Sequence, residues 1–100
     1  EPLQRRSLAI KTQALGPEHP AVAAGLNNMA RLYHDTGRYA EAEPLYRRAL
    51  NIMKKVFGPE HPRVAVVLNN LAALYRATER EKEALALEER AKTIRRGRQN

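Results

Sequence analysis

At 100 residues the chain has room for one modest domain with one small continuous core, and not for two independent domains. With 18 Lys and Arg against 11 Asp and Glu, the formal charge of +7 sets up a field that attracts acidic peptides, nucleic acid or anionic lipid, and charge alone does not choose among them. The absence of cysteine excludes a disulfide framework and thiolate metal sites and fits a cytoplasmic origin, and no apolar run approaches the ~20 residues of a membrane span.

The chain starts Glu1-Pro2-Leu3-Gln4-Arg5-Arg6, with no apolar stretch behind it as a signal peptide would have. The missing initiator Met reads as a piece of a longer protein. A first helix is expected over about 2–14, and its opening returns 42 positions later as Glu43-Pro44-Leu45-Tyr46-Arg47-Arg48. The linker Gly16-Pro17-Glu18-His19-Pro20 returns at the same shift as Gly58-Pro59-Glu60-His61-Pro62. In all, 21 of the 42 positions in 15–56 are identical in 57–98, which marks an internal repeat.

After the first linker, Val22, Leu26, Met29, Ala30 and Tyr33 recur at steps of three and four and predict a helix of type A over 20–36. Pro20 suits a first helical position, which leaves His19, and likewise His61, near the N-cap. Gly37 supplies a left-handed stop, and the pattern restarts at Tyr39, Ala42, Leu45, Tyr46, Ala49, Leu50, Ile52 and Met53 as a helix of type B over 39–56. The second linker leads to another A helix over 62–78 and another B helix over 81–96. Arg95, Arg96 and Arg98 close the chain and read as a disordered basic tail.

The order is therefore B-A-B-A-B, an all-α antiparallel helix-pair solenoid of five helices, with 1–15 as helix B of a truncated repeat and 16–57 and 58–98 as full repeats. Alanine at positions 30, 42, 49, 72, 84 and 91 leaves room for close helix approach. Such pairs bury their faces only by stacking on neighbours.

These residues resemble a tetratricopeptide repeat, in the 42-residue version found in kinesin light chains and many bacterial repeat proteins. The family's pattern of a large apolar residue, Leu-Ala, Tyr, Gly, aromatic, Ala, aromatic and Ala falls on Leu26, Met29-Ala30, Tyr33, Gly37, Tyr39, Ala42, Tyr46 and Ala49. In the next repeat it falls on Leu68, Leu71-Ala72, Tyr75, Ala84 and Ala91, while Glu79, Glu81 and Glu88 replace Gly37, Tyr39 and Tyr46. Those departures make the last helix more polar, as a soluble end of an array requires, and they leave the turn at Glu79 without its glycine.

Opposite the core face of the first A helix, the helical angle places Asn27, Asn28, Arg31, His34 and Asp35; the second A helix offers Asn69, Asn70 and Arg76. Stacked A helices line the concave side of a solenoid, so these residues are expected to form a stripe along one groove. Amides pair with a peptide backbone and arginine with a carboxylate, which suits an extended acidic peptide. The resemblance implies the same use of groove Asn and basic residues. The competing role for the four asparagines is to bridge adjacent helices, and for Arg31 and Arg76 a solvated or ion-paired face. Arg5, Arg6, Arg47 and Arg48 on B helices are read as solubilising.

Catalysis has little to draw on. Ser7 is the lone serine, and there is neither a phosphate-binding glycine loop nor a His-Glu-x-x-His motif. His19 and His61 sit beside glutamates but lack a further ligand at metal-binding spacing, so no metal or cofactor is expected. The tyrosines hold core positions and leave no platform for stacked bases, which argues against nucleic acid. Two readings stand: a scaffold for a protein or acidic peptide partner, and a self-associating array. The second rests on Leu3, Leu8, Ile10 and Leu15, an apolar flank of helix 2–14 open to another copy.

Overall fold

The structure, a computed structural model, describes residues 2–99; the side chains at 2–4, 7, 9, 11, 98 and 99 lie outside the description. Five helices follow one another: α1 (Pro2–Leu15), α2 (Pro20–Asp35), α3 (Tyr39–Phe57), α4 (Pro62–Ala77) and α5 (Glu81–Gln99). Sequence periodicity places each to within three residues. The one difference of substance is the last. Helix α5 continues through Arg95 and Arg96 to Gln99, so the backbone of the predicted basic tail is helical, while the Arg98 side chain lies outside the description.

Chain neighbours pack on one another: α2 against α3, α4 against α5, α3 against α4 and α1 against α2, with a lighter approach of α2 to α4. The result is a slab of 38 × 30 × 15 Å, thin because each helix pair contributes one layer to a continuous core. Val22, Leu26, Ile52, Met53, Val64, Leu68 and Ile94 fill one part of that core. Met29, Tyr33, Tyr46, Leu71, Leu74 and Tyr75 fill the other. Ala30, Ala42, Ala49, Ala72, Ala84 and Ala91 are all buried, which is what close helix approach demands. Leu8 leans from α1 onto both parts of the core and touches α2 at Gly25, where even a Cβ would come within 3.1 Å of its Cδ1.

Both A-type helices begin alike. His19 Nδ1 accepts from the Ala21 N–H at 3.0 Å and His61 Nδ1 from the Arg63 N–H at 3.1 Å, each followed by Pro at the first helical position. The two histidines are thus side-chain N-caps that satisfy an otherwise unpaired amide. The A-to-B turns also match. Gly37 takes φ +79°, and Glu79 is held at φ +63°, in the left-handed region that disfavours a side chain. In each turn the following arginine N–H closes on a tyrosine carbonyl, Arg38 on Tyr33 and Arg80 on Tyr75, both at 2.7 Å. Loss of the glycine therefore did not loosen the turn; it left the turn strained.

Candidate functional site

The outer face of α2 presents Ala24, Asn28, Arg31 and Asp35, all exposed, at helical steps of four, three and four. On α4 the 42-residue shift places Val66, Asn70, Ala73 and Ala77 in those positions, with Asn70 half-buried and the others exposed. Asn27 and Asn70 meet across the two helices, the Asn70 amide donating to Asn27 Oδ1 at 3.1 Å. Asn69 is half-buried beside them. Of the asparagines, one pair thus bridges helices and Asn28 faces outward.

A depression of about 230 Å³ opens between α2 and α4, lined by Ala24, Asn27, Asn28, Met53, Arg63, Val66 and Val67. Its floor is apolar and its polar groups are amides and one guanidinium, whose carbon lies 5.0 Å from the Phe57 ring centroid. Arg63 was not among the residues singled out from the sequence. Its counterpart under the repeat is Ala21, so the internal repeat carried no sign of it.

Arg76 behaves differently from Arg31. Its counterpart is His34, one helical step away from Arg31's position, and it turns toward α5. Its Nε and Nη2 engage the Glu88 carboxylate at 3.0 and 2.5 Å, and Nη1 reaches Glu81 at 2.6 Å. The hydrogen bond from Arg76 holds the Glu88 carboxyl below its ordinary range. Arg31, by contrast, is exposed and makes no ion pair with a described carboxylate. In the first pair, His34 sets its ring edge-on to Tyr39 at 5.5 Å. Beside them the Tyr46 hydroxyl is pushed up to about 12, chiefly by burial, with Arg31 lowering it and Asp35 raising it by smaller amounts.

The arginines read as solubilising divide in two. Arg5 donates through Nε to the Tyr33 hydroxyl at 2.8 Å, and Arg47 donates through Nη2 to the Tyr75 hydroxyl. Each reaches from a B-type helix to the next A-type helix. The turn arginines lie over the same rings, Arg38 at 4.5 Å from the Tyr33 centroid and Arg80 at 4.0 Å from that of Tyr75. Each turn arginine is fixed by a carboxylate on its own B helix, Glu41 or Glu83. Glu43 completes the second cluster: Arg47, Arg80 and the Tyr75 hydroxyl all donate to it. Partial burial works against its charge, but these hydrogen bonds prevail and keep its carboxyl below the usual range. Arg6 and Arg48 remain exposed surface residues. The sequence did hold a signal for these locks, since Arg5, Tyr33, Arg38 and Glu41 all reappear unchanged at 47, 75, 80 and 83.

Among the described residues no three His, Cys, Asp or Glu side chains converge as a metal site would require, and no helix is long and apolar enough to cross a membrane.

An array of antiparallel pairs with small residues at the helix crossings, a left-handed A-to-B turn and outward-facing A-helix polar residues defines a helical repeat of the binding-scaffold class. The tetratricopeptide repeat model matches residues 1–55 and 22–97, and the chain belongs to that family. Tetratricopeptide repeats generally mediate protein–protein interaction. The repeats are of the kinesin-light-chain-like type. BtubC (BKLC) from P. vanneervenii superposes with a TM-score of 0.89 at 31% identity, over 94% of this chain and 37% of that one. A Podosopora anserina protein assigned as a kinesin light chain, with nearly identical TPR-like repeats, superposes with a TM-score of 0.83 at 32% identity, over 92% of this chain and 44% of that one. The chain thus spans about two fifths of the length of these structures. Among curated proteins a search finds no match.

Proposed function

We propose that the chain is a non-enzymatic, cytoplasmic protein-binding scaffold whose α2–α4 surface receives an extended acidic peptide. The observation that carries this is the 230 Å³ depression with an apolar floor, bordered by the Asn28 amide and the Arg63 guanidinium. Arg31 extends the stripe with a cation that no described carboxylate engages. Asn28 and Arg31 contact the ligand directly, and the Asn27–Asn70 bridge presents its remaining donors and acceptors to the peptide backbone. Asn69, His34 and Asp35 flank the path. Arg76 joins it only by sharing its guanidinium with Glu81 and Glu88, which makes it the weakest contributor. Two A-type helices make a short groove, so affinity is modest.

The test is calorimetric titration with a ten-residue peptide of alternating glutamate and small apolar residues. Asn28→Ala combined with Asn70→Ala, and separately Arg31→Ala, weaken binding about tenfold each, the worth of one or two polar contacts. Unchanged affinity in all variants rules the site out.

Self-association has its own support. Ile10 and Leu15 of α1 are 61% and 47% exposed, whereas Ile52, the residue that matches Ile10 under the repeat, is only 3% exposed beneath α2. Leu8 is half-buried in the core rather than free, and Leu3 lies outside the described side chains. An A-type face from a second copy fits this flank. A monodisperse monomer in sedimentation at high concentration excludes it.

A further inference from the structure

A larger cavity, of about 740 Å³, lies between α1 and α3. It is reached from the other side of α2. At 100° per residue, its α2 residues Met29 and Tyr33 lie about 140° and 180° around the helix from Ala24, which lines the smaller depression. Leu8, Met29 and Leu45 give it apolar walls. Two exposed cations, Arg5 and Arg48, also line it; its one carboxylate, Glu41, is engaged by Arg38 at 2.5 and 2.8 Å and by Arg5 at 3.8 Å, which leaves Arg48 as the cation without a carboxylate among the lining residues. Pro44 has no N–H, so the Ala40 carbonyl at the cavity's edge has no α-helical donor.

The repeat supplies a control within the molecule. Where this cavity presents Thr12, Gln13, Ala40 and Pro44, the corresponding positions around α3 and α5 carry Lys54, Lys55, Lys82 and Ala86. At these four positions the α1–α3 cavity is uncharged, whereas three of the matching positions on α3 and α5 are lysine. Positions that matter only for the fold need not diverge in this way.

We infer that the α1–α3 cavity is a second docking site, separate from the peptide stripe, that receives an acidic amphipathic helix of a partner protein. The size fits: its walls run from Arg5 to Gln13 on α1 and from Ala40 to Arg48 on α3, eight helical steps each or about 12 Å of helix. Apolar anchors at i, i+4 and i+7 of a docked helix span about 10 Å and match that length. The electrostatics fit as well, because the uncompensated charge along the cavity is cationic and a carboxylate on the docked helix meets Arg48.

The probe is a 14-residue helical peptide with leucines at i, i+3, i+4 and i+7 and glutamates along both flanks, and the control has the same composition with the leucines scattered. Methyl NMR on the unmodified chain shows shifts at Leu8, Met29 and Leu45 with the patterned peptide. Arg48→Glu weakens its binding at least tenfold and Ala40→Glu does the same, while Arg31→Ala changes it by less than twofold. Shifts confined to Ala24 and Val66, equal binding of the scattered control, or no binding at all each overturn the proposal. The NMR map needs no variant, so it decides the matter even if a substitution disturbs folding.

Discussion

The helix pairs α2–α3 and α4–α5 share a backbone plan and differ at three coupled positions. In the first, His34 stands edge-on to Tyr39, and Tyr39 packs against the core cluster that holds Tyr46, which is only 1% exposed. In the second, Arg76, Glu81 and Glu88 stand in the same places and form a three-membered ion pair. Both groups tie the A helix to the B helix across the same gap. One does it by burying rings, the other by charge that stays partly in water. The difference teaches that these substitutions work best as a set, since a carboxylate at position 46 without an arginine at 34 lacks the two-pronged partner that Glu88 has and feels only the charge of Arg31.

The largest effect is expected from breaking that set. Tyr46→Glu alone buries a carboxylate without the bidentate arginine of the second pair and deletes a core ring, at a cost of about 3–5 kcal/mol in urea denaturation. Adding His34→Arg and Tyr39→Glu to it recovers 1 kcal/mol or more, roughly the coupling of contacting residues. Strict additivity in this cycle would refute the claim that the three positions act together.

Alkaline titration separates the pairs next. The folded-state value of Tyr46 is raised from 10.0 to about 12, so its contribution to stability is complete below pH 10 and is lost as the pH climbs from 10 toward 12. The expected slope is about 1.4 kcal/mol per pH unit. Tyr75 is raised as well, by burial first and then by its hydrogen bond to Glu43, and adds to the fall. Tyr46→Phe removes most of the dependence in thermal melts recorded across that range. A melting curve that ignores pH between 10 and 12 would contradict the burial of these hydroxyls.

The smallest effect sharpens the comparison at the turns. Glu79→Gly relieves a left-handed side chain and raises stability by about 0.5–1 kcal/mol, whereas Gly37→Glu lowers it by about 1 kcal/mol. Reciprocal shifts in the denaturation midpoint test both at once.

The repeat made the fold readable, because burial at steps of three and four and a recurrent Gly-Pro-Glu-His-Pro linker leave few arrangements open. The candidate site was readable in part. Asn28 and Arg31 do face outward, and Asn27 with Asn70 form the helix bridge that had been the competing reading. Arg76 reads with Arg31 as a groove cation whose competing role is an ion-paired face, and the ion pair is what forms. Its true alignment with His34 rotates it by a helical step toward α5, and what then decides its role is the pair of carboxylates placed there by helix packing. Arg5 and Arg47 read locally as solubilising charges because their partner hydroxyls lie 28 residues away. The place of Arg63 in the depression follows from how α4 sits on α2, which no local pattern encodes.

The tyrosine locks have a consequence for how such a chain grows. Both arginine–tyrosine contacts span 28 residues, so a 42-residue cassette carries the acceptor for the cassette before it and the donor for the one after. A tandem duplication in phase joins these half-contacts at the new seam without any further mutation. An insertion out of phase leaves a donor and a ring unmatched at the seam it interrupts. The lock therefore acts as a reading frame for the array, selecting gene duplications that preserve the period over those that break it.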